Sequence, residues 1–88
     1  MPQAGKRLIL NDSITIEDGL AGYADEFLWC YFTGYTLQEA ATVFFNPANT
    51  EKIVFQYGEA EDTYTGFTNV RTLSIDTDGK VSVCMTKG

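Results

Sequence analysis

The chain has 88 residues, 44% of them hydrophobic and twelve of them aromatic, with twelve acids against six bases for a formal charge of −6. That length makes one domain, residues 1–88, and its aromatic and β-branched content is that of a folded chain rather than a disordered one. The six bases, Lys6, Arg7, Lys52, Arg71, Lys80 and Lys87, are scattered, which disfavours direct binding to a nucleic-acid backbone or docking on an anionic membrane, both of which need clustered cations.

Residues 1–6 read as a polar lead-in, ordered from Lys6 onward, and no apolar region with a cleavage site follows Lys6-Arg7 as a secretory signal would require. Leu8-Ile9-Leu10 and Ile14-Thr15-Ile16 form two short strands around Asn11-Asp12-Ser13. A three-residue loop pairs Leu10 with Ile14 and Leu8 with Ile16, keeping one face apolar, whereas a two-residue loop would set Leu8 against Thr15. Residues 17–25, with two glycines and three acids, read as a loop. Glu26 to Thr33 is apolar on both alternating faces, as in a central strand covered on both sides, and its longest apolar run, Phe27 to Phe32, is far too short to span a membrane.

Gly34-Tyr35 breaks the strand. Thr36-Leu37-Gln38-Glu39 is a capping box, and Leu37, Ala40, Ala41, Phe44 and Phe45 recur at helical spacing, predicting a helix over 37–45 that Asn46-Pro47 stops. Lys52 to Tyr57 is a strand with Ile53, Phe55 and Tyr57 on one face. Gly58 to Asp62 is an acidic turn, Thr63-Tyr64-Thr65 a further strand, and Gly66 a bulge or bend. Val70–Asp76 and Lys80–Met85 form a hairpin about Thr77-Asp78-Gly79, with Ile75 opposite Val81, Leu73 opposite Val83 and Arg71 opposite Met85. No internal repeat is visible. The elements together predict an α+β domain: a mainly antiparallel sheet of about five or six strands, with curling into a partial barrel as its main variation, and one helix, 37–45, packed across it.

The chemistry is limited. The chain has no histidine, which removes the usual general base, the commonest metal ligand and every Ser-His or Cys-His pair. Cys30 and Cys84 sit in strand-like runs and read as reduced, buried thiols. The glycines of residues 19–22 lack the lysine of a phosphate loop, and Asp76-x-Asp78-Gly79 lacks the distal glutamate of a calcium loop. No enzyme activity, cofactor or metal is expected, and a carboxylate enzyme using Glu61 and Asp62 with Tyr64 is a distant alternative to a solvated acidic loop.

Binding remains. Tyr57 and Tyr64, with Phe67, bracket Glu59, Glu61 and Asp62, a candidate contact patch for a basic partner; the plainer reading has Tyr57 and Phe67 in the core and the acids at a loop tip. Trp29 is the other candidate contact, either central core or subunit interface.

Thr36-Leu37-Gln38-Glu39-Ala40-Ala41, Phe44-Phe45-Asn46-Pro47, Ile53 to Glu59 and Tyr64-Thr65-Gly66-Phe67-Thr68 together resemble small uncharacterised proteins of Firmicutes phages and prophages, over about residues 26–85. The resemblance implies a mobile-element origin, in the host cytoplasm or the virion, and carries over no functional residue. It implies a structural or assembly accessory that binds itself or another phage or host protein. The alternative is an acidic inhibitor of a host defence nuclease acting through Glu59, Glu61 and Asp62, with Glu17, Asp18 and Asp25.

Overall fold

The computed structural model describes residues 5–88, so most of the polar lead-in (residues 1–4) lies outside the described residues. Eight strands and two short helices follow in the order β1 (Lys6–Leu10), β2 (Ile14–Glu17), β3 (Leu20–Ala24), β4 (Phe27–Phe32), α1 (Leu37–Phe44), α2 (Pro47–Thr50), β5 (Lys52–Tyr57), β6 (Ala60–Thr65), β7 (Asn69–Ile75) and β8 (Val81–Thr86). They make two four-stranded antiparallel sheets, β2-β1-β5-β6 and β3-β4-β8-β7. The expectation of an α+β domain, one sheet of five or six strands with a helix across it, is therefore wrong: the fold is mostly β, with two sheets and only two short helices. The sheets cover each other, and the helix sits to one side of them.

Two local readings hold and three fail, one of them the acidic turn over Gly58–Asp62, because β6 already begins at Ala60 and puts Glu61 and Asp62 in the ladder with β5. The first hairpin pairs Leu10 with Ile14 and Leu8 with Ile16, and the last pairs Ile75 with Val81 and Leu73 with Val83 around Gly79 at φ +81°. Residues 17–25, however, are not all loop. Leu20–Ala24 is β3, paired with β4 through a two-residue Asp25-Glu26 turn. Arg71 does not face Met85, because the register shifts between Val70 and Thr72, Val70 takes Met85, and Arg71 is thrown out as a bulge.

The strand order also carries a symmetry that the sequence hides. Exchanging β1 with β5, β2 with β6, β3 with β7 and β4 with β8 reproduces both sheets. Each half is a hairpin in one sheet followed by a hairpin in the other, and the halves meet at the central pairs β1–β5 and β4–β8. The chain thus repeats itself in topology though not in visible sequence.

The core lies between the sheets. Leu8, Leu10, Ile16, Ile53 and Phe55 from the first sheet pack with Leu28, Cys30, Phe32, Val81, Val83 and Met85 from the second. The alternation of side chains along each strand sends these residues inward and their neighbours outward. Gly19 lies close against this core, since a Cβ there would lie 2.7 Å from Leu8 Cγ.

Thr36 caps α1 in both directions: its hydroxyl accepts from the Glu39 amide at 3.0 Å and its own amide donates to Glu39 Oε1 at 2.8 Å. Ala40 and Phe44 are fully buried, Phe44 stacking on Phe32 with centroids 5.4 Å apart. Leu37 and Phe45, expected on the same stripe, are exposed, Phe45 by 59%. The helix lies against β7 instead of across a broad sheet and buries only a narrow strip. Asn46-Pro47 stops α1 and also starts α2: the Asn46 side chain accepts from the Ala48 amide, and Pro47 takes the first helical position.

Candidate functional site

Outward-facing side chains on the two sheets differ in kind. The first sheet presents a charged face, with Arg7 3.8 Å from Glu17 and Gln56 Nε2 donating to Glu61 Oε1 at 3.3 Å. Register places Leu20, Gly22 and Ala24 of β3 beside Phe27, Trp29 and Tyr31 of β4 on the outer face of the second sheet. Ser82, Cys84 and Thr86 of β8 follow, then Asn69, Thr72 and Ser74 of β7. None of these ladder residues is charged, in a chain with a formal charge of −6; charge enters only at the margins, from Lys80 over Tyr31, from the bulged Arg71 near Cys84 and from Glu26 and Lys87 beside Phe27 and Thr86.

The centre of this face is an aromatic ridge. Trp29 and Tyr31 lie with their ring planes 5° apart and centroids separated by 6.2 Å, and Lys80 Nζ stands 5.4 Å from the Tyr31 ring centroid. The ridge is flanked on the β3 side by a trough at Gly22, directly opposite Trp29, where a Cβ would meet nothing within 4 Å. On its other side, across from Trp29, sits Cys84, 3% exposed. β4 is thus a central strand with one fully buried face and one half-buried face, and no element of the described chain is laid over the latter.

The two cysteines point opposite ways, Cys30 into the core and Cys84 outward, and both are free thiols. Burial pushes the Cys30 thiol up to about 12. Burial also raises Cys84, with Arg71 opposing. Neither has the lowered pKa of a nucleophilic thiol.

The other predicted contacts are only partly brought together. Tyr57, Asp62 and Tyr64 share the inward side of the β5–β6 end, where the Tyr57 hydroxyl donates to Asp62 Oδ2 at 3.0 Å. That hydrogen bond, then the Asp62 charge, raises the Tyr57 pKa. Tyr64 is raised by burial first and Asp62 second. Glu61 points to the opposite face of the strand from Asp62, and Glu59 is in the turn. Trp29 is on the other sheet. The acids therefore do not converge on one patch, because a strand sends successive side chains to opposite faces.

A second feature had no counterpart in the sequence reading. Where the β3–β4 turn approaches β6, Tyr23 packs on Tyr64 and Phe67 with centroids 6.2 and 5.6 Å away. A cleft of about 470 Å³ opens on one side of Tyr23, lined by Glu26, Phe27, Arg71, Thr86 and Lys87. Another of about 280 Å³ opens on its other side, with Thr63, Tyr64, Thr65, Phe67 and again Lys87. Recognising β3 as a strand, with Asp25-Glu26 as its turn, was the one sequence signal that could have placed Tyr23 there.

Among the described residues no three His, Cys, Asp or Glu side chains are grouped to hold a metal, and no helix is long and apolar enough to cross a membrane. Comparison with protein-family models, with curated proteins and with solved structures finds no match for this chain.

Proposed function

We infer that this protein is a non-enzymatic interaction module that self-associates through the outer face of β3-β4-β8-β7. The single observation carrying this reading is a sheet face whose ladder positions are all uncharged, with the Phe27-Trp29-Tyr31 ridge at its centre and charged side chains only at its margins. Interface cores are depleted in charge and enriched in Trp, Tyr and Phe. A second copy of the chain is the occupant that the shape favours. The ridge lies beside the Gly22 trough, so a two-fold rotation sets the ridge of one copy into the trough of the other. Charge points the same way: two copies carrying −6 each can approach closely only where neither presents acids. The resemblance to small phage and prophage proteins supports a structural or assembly role for such a dimer. The split between Glu61 and Asp62 speaks against the acidic-inhibitor alternative.

Light scattering at low and high salt tests this directly. The expected result is twice the monomer mass at both, since an apolar contact is not screened by salt. Gly22→Arg, placed in open space, is expected to give a folded monomer, and Trp29→Thr to weaken the dimer at least about tenfold. A wild-type monomer at both salt concentrations would overturn the reading.

A further inference from the structure

The geometry points to a second site, the cleft around Tyr23, as a binding site for an acidic saccharide, with Arg71 and Lys87 taking its carboxylate and Glu26 accepting from its hydroxyls. This does not rest on self-association; because Phe27 and Thr86 belong both to this cleft and to the edge of that face, the titration is also run on the Gly22→Arg variant, in which the face is blocked away from the cleft.

The cleft has the size of a small-ligand site, about 470 Å³ on the Glu26 side of Tyr23 and about 280 Å³ on the other. Its floor is aromatic: Tyr23 is 55% exposed and held edge-on by Phe67. Its walls are polar, with Thr86, Thr63 and Thr65 contributing hydroxyls. A pyranose ring matches that division, with a C–H face to lie on the tyrosine and hydroxyls around its rim.

Charge narrows the ligand. Arg71 and Lys87 both line the larger cleft, and among the described residues neither has a carboxylate within ion-pair distance. In a chain with twice as many acids as bases, two unpaired cations at one cleft form a local anion site. Arg71 reaches it because the β7 bulge turns it out of the ladder. Lys87 Nζ is 5.4 Å from the Phe67 centroid, so the aromatic floor helps position the cation.

Glu26 supplies the third element. It sits at φ +73°, following Asp25 at +52°. Two-residue turns of this kind favour glycine at the second position. The other non-glycine residues at positive φ, Asn11, Asp12, Asp18 and Asp25, are all Asn or Asp, the types that tolerate it. A glutamate held there at a conformational cost, lining a cleft, is what a residue kept for its side chain looks like. Its carboxylate also selects among anions. A doubly charged phosphate would meet repulsion from Glu26, whereas a singly charged uronate can give its carboxylate to Arg71 and Lys87 and its hydroxyls to Glu26.

The test is a titration of the isotopically labelled 88-residue chain with methyl galacturonoside, which carries one carboxylate, followed by amide NMR. The neutral methyl galactoside and uridine monophosphate serve as comparisons. Shifts confined to the surroundings of Tyr23, Glu26, Arg71 and Lys87 are expected with the uronate and not with the neutral sugar. Arg71→Gln and Tyr23→Ala should each weaken binding about tenfold, while Tyr23→Phe keeps it. Glu26→Gly should raise the melting temperature and still lose affinity, a combination that a purely structural turn would not show. No localised shifts with the uronate at millimolar concentration, equal response to the neutral sugar, tighter binding of the nucleotide, or undiminished affinity in Glu26→Gly would each overturn the assignment.

Discussion

Cys30 shows how much a single side chain's surroundings decide. It is an ordinary thiol by composition, yet full burial between Ala21 and Val83 lifts its pKa from 9.0 to about 12. The folded thiol therefore stays protonated in a range where the unfolded chain has already lost its proton. The stability that this represents is complete below the unfolded value of 9.0 and falls as pH rises from there toward 12. Urea unfolding at neutral pH and near pH 10.5 should differ by about 2 kcal/mol from this group alone. The raised Tyr57 and Tyr64 act in the same direction. Cys30→Ala should flatten the alkaline slope; an unchanged slope would show that the thiol ionises freely in the folded protein.

At the scale of elements, α1 separates what local chemistry commands from what packing commands. The capping box was legible because it needs only Thr36 and Glu39 three residues apart, and both of its hydrogen bonds are present. Thr36→Ala should cost about 1 kcal/mol in thermal or denaturant unfolding, while Thr36→Ser should be nearly neutral. The apolar stripe was only half informative. Periodicity marks Phe44 and Phe45 alike, but only Phe44 faces Phe32. Phe44→Ala should destabilise by about 3–5 kcal/mol, and Phe45→Ala by no more than about 0.5 kcal/mol. Periodicity identifies a helix and its general face, but the width of what it buries depends on the surface opposite. Here that surface is the β7 side of a narrow sandwich.

At the scale of the molecule, the mistaken single sheet has a definite origin. Hairpins are local, and their registers follow from keeping apolar residues on one face, as Leu8 with Ile16 and Leu73 with Val83 show. The pairs that divide the chain into two sheets join distant segments, Leu8 with Phe55 and Cys30 with Val83. Nothing in a strand's own pattern names such a partner. The candidate surfaces follow the same rule. Trp29 was visible as an aromatic on an over-apolar strand, but that its ladder neighbours Gly22, Cys84 and Thr72 are uncharged emerges only from the sheet order. Tyr23 and Glu26 of the β3–β4 hairpin meet Arg71 and Lys87, from distant parts of the chain, only where that turn comes beside the end of β8. Short-range physics written in the chain itself therefore determined most of the strands, the apolar pairs of the first and last hairpins, the helix caps and the narrow range of available chemistry. The strand β3, the two-sheet division, the aromatic face and the cleft were decided by long-range pairing. Its energy comes from burying one shared core, and that quantity belongs to the assembled sheets and to no single segment.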